Sequence, residues 1–126
     1  MKKNLAGYVV AALLLGVPLL SGCGPGQKSF ERDVRPILKQ SCIECHQPGG
    51  PGFLASGLDM SSYDSLMKGT KFGTVIKPGD SVASVLNMLV EGRANPAIRM
   101  PHGREALKEK DVKTLKLWVD QGAKNN

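Results

Sequence analysis

Hydrophobic residues follow two kinds of pattern along this chain. Leu5 to Leu20 is an unbroken run of sixteen residues without a charge, preceded by Lys2 and Lys3. Beyond it the apolar positions become periodic. Phe30, Val34, Ile37, Leu38 and Ser41 follow i, i+4, i+7, i+8 spacing, one face of a helix. With Asp33 as cap and Pro36 in the first turn, where a missing N–H costs little, the pattern predicts a helix over about 33–42. Residues 47–57 read QPGGPGFLASG and are expected to be loop. Ser61 or Ser62 can cap a short helix through Tyr63, Leu66 and Met67, stopped by Gly69. Lys77-Pro78-Gly79-Asp80 reads as a turn whose Asp80 caps a helix carrying Val82, Val85, Leu86, Leu89 and Val90, closed by Gly92. Residues 93–106 return to loop. Val112, Leu115, Trp118 and Val119 form the last stripe, and Gly122 stands where a C-cap glycine belongs. No stretch sustains two-residue alternation, so the expected class is all-α, three to five helices with long ordered loops.

The leading apolar run is short for a bilayer. As a helix it would measure roughly 24 Å against a hydrocarbon core of about 30 Å. Two lysines followed by this run have the layout of a secretory signal. Leu20-Ser21-Gly22-Cys23 resembles the lipobox of bacterial lipoproteins. The resemblance implies cleavage before Cys23, a lipid on its sulfur and acylation of the new amine. An ordinary cleavage site followed by a spare thiol is the alternative. Two or three acyl chains suffice for stable anchoring. Gly24, a non-Asp residue after the cysteine, favours an outer membrane by resemblance to Gram-negative sorting. The expected organisation is a signal peptide over 1–22, a lipidated Cys23 with a short tether over 23–29, and one domain over 30–126. The six residues 24–29 reach at most about 20 Å. The domain would lie on the periplasmic side of a membrane.

Composition narrows the picture. A chain of 126 residues allows one small domain and excludes a solenoid or a two-domain nucleotide enzyme. Charged residues make up 22%, ordinary for a folded domain, so global disorder is not expected. Aromatics are only 5%, so the heavy anchors of a core are few and a cofactor could supply part of it. The formal charge of +6 falls to +4 once Lys2 and Lys3 are removed with the leader. Nucleic acid is a poor partner for an exported chain. Basic side chains such as Lys68, Lys71 and Lys77 could steer an acidic partner or simply form a solvated face.

Cys42-Ile43-Glu44-Cys45-His46 is CxxCH, the attachment signature of c-type haem. Two thiols separated by two residues on a helical turn reach one edge of a porphyrin, each forming a thioether with a vinyl group. His46, next in sequence, is then placed as an axial ligand. A redox dithiol would want a βαβ context, which is absent. A zinc site needs further ligands, and only the distant His102 is at hand. Met100, in Arg99-Met100-Pro101-His102-Gly103, is the candidate for the sixth position, because Pro101 biases it towards extended backbone. A thioether there raises the potential. His102 is the rival, and an open sixth site is the third option. Met60 and Met67 read as gap-filling core, and Met88 as solvent-facing.

The chain from about residue 30 to 123 resembles class I c-type cytochromes, and most closely planctomycete-type cytochrome c domains. The resemblance rests on Phe30-Glu31-Arg32-Asp33-Val34-Arg35-Pro36-Ile37-Leu38, the CxxCH, Lys77-Pro78-Gly79-Asp80-Ser81, Met100-Pro101 and Trp118-Val119-Asp120-Gln121-Gly122-Ala123. It implies the cytochrome c fold around one covalent haem c, His46 and Met100 as axial ligands, and electron transfer rather than enzymatic turnover. Two departures stand out. His102 occupies a position where the family often has a second Pro, and Lys108 one where it often has a capping Ser or Thr. Leu115, Trp118 and Val119 would pack on the first helix and wall the haem pocket.

The function expected is a membrane-tethered monohaem cytochrome, passing single electrons between a redox protein donor and acceptor. One alternative is a haem sensor, or an electron-transfer subunit of a larger oxidoreductase within a membrane-associated complex, with a labile sixth ligand. Another is a non-haem metal or dithiol module.

Overall fold

A computed structural model describes residues 24–126. The leader and Cys23, with the lipidation site expected there, lie outside the described residues. Within them the chain is helical, and its one β feature is an isolated bridge between Thr70 and Gly73. A π turn, Phe30–Val34, runs into α1, Arg35–Ser41. Then follow α2, Pro51–Ser56; α3, Tyr63–Lys68; α4, Val85–Val90; a 3₁₀ turn, Pro96–Ile98; and α5, Glu109–Asp120.

The first helix begins earlier than its apolar spacing predicts. Its cap is Ser29, whose side chain accepts from the Arg32 N–H. Asp33 answers from within the turn: its Oδ2 accepts the Ser29 N–H at 2.8 Å. That contact holds the Asp33 carboxyl below its ordinary range. Pro36 cannot donate to a preceding carbonyl, and the turn before it takes the wider π register, with Arg35 N–H on Phe30 O.

Helix α2 lies in the stretch expected to be loop. Its punctuation is regular: Pro51 opens it, and Gly57 ends it at φ +76°. Helix α3 follows expectation, with a capping box between Ser62 and Ser65. Helix α4 is shorter than its stripe. Asp80 does not cap it; Asp80 Oδ1 instead accepts from Ala83 N in a separate turn, and the helix starts after Ser84. Val82 is therefore exposed rather than part of a buried face. Helix α5 starts without a side-chain cap at Lys108, and Gly122 follows it at φ +100°.

Three of the five aromatics among the described residues are gathered in one place. The Trp118 ring lies 5.7 Å from Phe30 and 6.4 Å from Tyr63, centroid to centroid, and Phe30 meets Tyr63 edge-on at 5.2 Å. Trp118 Nε1–H donates to Lys124 O, and the Tyr63 hydroxyl to Ala123 O. This cluster joins the π turn, α3 and α5.

The turn before α4 is bound to the end of α5. Gly79 N–H donates to Val119 O at 2.7 Å and Ser81 N–H to Asp120 Oδ1 at 2.9 Å. Lys116 bridges Asp120 and Ser81 Oγ, and these contacts lower the Asp120 carboxyl to about 2, the Lys116 hydrogen bond first among them.

The expected tether is partly clasped. Lys28 N–H donates to Gln121 Oε1 at 2.7 Å, and Gln121 Nε2 reaches the Gly26 carbonyl at 3.3 Å. Phe30 N–H and the Ser29 hydroxyl both bond Asn126. Gln121 Nε2 also lies 3.5 Å from the Pro25 carbonyl, so the segment over 25–29 is held against the domain rather than free.

Candidate functional site

Helix α1 delivers the CxxCH. Its register continues through Cys42 N–H on Leu38 O at 2.9 Å, and then a turn closes with both Cys45 N–H and His46 N–H on Cys42 O. This curl puts the two sulfurs and the imidazole on one side of the chain. Helix α2 folds back over it, with Phe53 N–H on Cys45 O at 3.0 Å, and Met60 N–H holds His46 O at 2.8 Å. The approach is close enough to require glycine twice. A Cβ on Gly50 would stand 2.5 Å from Cys45 O, and one on Gly52 would stand 2.7 Å from His46 Cε1.

These residues open onto a cavity of about 590 Å³. Cys42, Cys45 and His46 line one side, and Met100, Pro101 and His102 also line it. The walls between are mainly apolar: Leu58, Met60, Val75, Leu86, Leu89 and Val90. The five sequence-predicted residues Cys42, Cys45, His46, Met100 and His102 are thus brought to one cavity from two distant segments. Met100 is half-buried and packs against the core, whereas His102 is exposed at the rim. Met60, read as core filler, is both: buried and in the cavity wall. Leu115, Trp118 and Val119 do not line the cavity. They are buried in the core behind the lining, which corrects the expectation that α5 walls the pocket.

The electrostatics of the site are those of a dry pocket. Burial pushes the Cys42 thiol up to about 11, neighbouring Cys45 adds to the rise, and Arg104 opposes it. Such a thiol is protonated at neutral pH and is poorly poised for thiolate chemistry. Burial likewise lowers the His46 pKa, with the Leu58 backbone pulling the other way. A neutral imidazole is the form that ligates a metal. His46 is only 8% exposed, and its Nδ1 lacks a partner at good hydrogen-bond geometry. Both thiols are free and half-buried. Among the described residues, no group of three or more His, Cys, Asp or Glu side chains stands together as a bare metal ion would require. The donor set and the apolar walls fit a large apolar group with one ligandable metal, which is what haem is.

Two residues of the rim carried no sequence signal of their own. Glu44, between the two cysteines, pairs with Arg104 at 2.5 Å. This contact raises the Arg104 pKa and keeps the guanidinium charged. Gly50 and Gly52 were legible only as loop formers. The signal for them was the Pro51-to-Gly57 punctuation of a helix.

Residues 42–103 match the family model described as Planctomycete cytochrome C. Among solved structures, a chain of Kuenenia stuttgartiensis hydrazine synthase superposes with a TM-score of 0.52 at 22% identity. The likeness covers 76% of the present chain and 16% of the other, so this chain spans about a sixth of that neighbour's length. No curated protein matches. No helix among the described residues is long and apolar enough to cross a membrane.

Proposed function

We propose, from the match of residues 42–103 to the planctomycete cytochrome C family model, that the chain is a monohaem electron carrier tethered to a membrane by a lipid on Cys23. The observation that carries the haem reading is the convergence of Cys42, Cys45, His46 and Met100 on one apolar cavity. When bound, haem supplies a one-electron ferric/ferrous couple. The thiols of Cys42 and Cys45 hold it covalently. His46 and Met100 would ligate its iron, with His102 left at the rim. The Leu58, Met60, Leu86 and Leu89 side chains exclude water, which limits solvent reorganisation as charge changes. With protein ligands from both segments, nothing would need to bind or react at the iron, which suits a carrier.

Docking to a redox partner is supported by the surface around residue 72. Phe72 is 81% exposed beneath the Lys71 ammonium, 5.1 Å from its ring centre. Lys77 is less available for steering, because Asp80 pairs with it at 3.0 Å. A second reading is an electron-transfer subunit of a larger oxidoreductase. It draws on the fold shared with part of a hydrazine synthase chain.

The test of the haem reading is an alkaline pyridine spectrum of the purified protein, which should show covalent c-type haem. Absence of that spectrum overturns it. The ferric protein should also show the far-red band of a methionine–iron bond. In Met100→Ala this band should vanish and the midpoint potential should fall by at least about 59 mV, a tenfold change for a one-electron couple. A band that survives Met100→Ala assigns the sixth position elsewhere. For the anchor, Cys23→Ser should shift the protein from the membrane to the soluble fraction. Retention on the membrane would refute lipidation at that residue.

A further inference from the structure

The cavity's two sides are joined at the rim by one side-chain contact. Glu44 belongs to the turn that carries Cys42, Cys45 and His46. Arg104 follows Met100, Pro101 and His102 and lines the cavity. Arg104 Nη2 and Glu44 Oε2 are 2.5 Å apart across sixty positions of sequence.

The segment that bears Met100 is otherwise loosely held. Its start is anchored where Arg93 donates to the Ser81 and Val82 carbonyls. After that, Ile98 N–H on Asn95 O and Arg99 N–H on Pro96 O are internal to the loop. Met100 N–H reaches Leu89 O at 3.3 Å, and Arg104 N–H reaches Pro101 O at 3.4 Å, both long. Residues 102–106 are exposed, and burial resumes only at Leu107. Among the described residues, the Glu44 contact is the side-chain hydrogen bond that ties the loop beyond Met100 to the CxxCH turn.

We propose that the Glu44–Arg104 ion pair is a latch that keeps the Met100 loop closed over the cavity, so that both side chains are positioning residues for the sixth ligand. The inference rests on the haem reading for its consequence at the iron, but not for its effect on the loop. For Met100 to leave the iron its loop must lift, and lifting breaks the pair. Glu44 is 73% and Arg104 42% exposed, so the pair is open to screening by salt. An exposed pair of this kind changes an equilibrium by about two- to fivefold. It is therefore a weak latch that permits exchange of the sixth ligand rather than forbidding it.

The test uses the ferric holoprotein and imidazole as the entering ligand. Glu44→Gln and Arg104→Gln are each expected to speed imidazole entry by about two- to fivefold. The double variant should be no faster than either single one, and the exchanged pair Glu44→Arg with Arg104→Glu should recover most of the loss. Raising the ionic strength should speed entry in the wild type and leave the variants nearly unchanged. Amide hydrogen exchange at residues 99–104 is measured on the same samples and should accelerate in both single variants. Unchanged amide exchange, or single effects that add in the double variant, overturns the latch. A wild-type protein without the methionine–iron band would fail the ligand assignment instead, while amide exchange still decides the latch.

Discussion

Gly52→Ala is expected to lose most of its covalently bound haem, and to show a weakened methionine–iron band in whatever remains. The added Cβ would stand 2.7 Å from His46 Cε1 and 2.9 Å from both ring nitrogens. Carbon contacts are comfortable at about 3.5–4.0 Å. The ring cannot simply retreat, because His46 is buried and its backbone is held by Met60 N–H. Helix α2 cannot easily lift, because Phe53 N–H is bonded to Cys45 O. Either the imidazole tilts or α2 comes away, and overpacking of this kind costs about 1–3 kcal/mol. The cost falls on His46, one of the two side chains proposed to ligate the iron. The haem-to-protein ratio from the pyridine spectrum measures it. Gly26→Ala is the control, since a Cβ there meets nothing within 4 Å. If Gly52→Ala loads haem as fully as Gly26→Ala, the packing of α2 on His46 is not what positions the ring.

Trp118→Ala should unfold much of the protein near physiological temperature while leaving the folded fraction spectroscopically normal. Trp118 is fully buried between Phe30 and Tyr63 and donates its indole N–H to Lys124 O. Truncating a buried Trp to Ala costs about 3–5 kcal/mol, against a total stability of about 5–15 kcal/mol for a small domain. The denaturation midpoint should therefore collapse. Yet Trp118 does not line the cavity, so the methionine–iron band of the folded molecules should keep its position. A changed band in the folded fraction would mean that the aromatic core and the haem cavity are one unit. Trp118→Phe should recover part of the midpoint, because a ring stacked among rings retains most of the buried area.

The two outcomes differ because Trp118 and the cavity wall occupy two parts of one buried core. One is an aromatic cluster that closes the π turn, α3 and α5 onto each other. The other is the aliphatic wall of the cavity, built from α4, the end of α1, α2 and residues 58–60. The low aromatic content suggested a core to which a cofactor could contribute. Phe30, Tyr63 and Trp118 nevertheless pack on one another directly.

Local pattern carried the reading where local geometry decides. Helix α5 was legible because Leu115, Trp118 and Val119 repeat at helical spacing and are all buried. Helix α3 was legible from its Ser62 cap and Gly69 stop. The CxxCH was legible because two thiols and an imidazole within one turn are constrained by their own chain. The pattern misled where apolar residues serve an exposed or cavity-lining role. Val82 completes the stripe of α4 in sequence but is solvent-exposed beyond the helix start. Helix α2 presents no fully buried side chain, so it had no stripe to read.

By itself, then, the sequence determined the attachment motif, the helical class and the pair of candidates, Met100 and His102, for the far side of the iron. Those depend on spacing along the chain, which residue order specifies directly. Tertiary structure decided what surrounds them. It set α2 and its glycines against His46, packed Met100 inward and left His102 at the rim, and paired Glu44 with Arg104. Each of those depends on which surfaces meet after burial, between residues far apart in sequence, and no local periodicity encodes such a meeting.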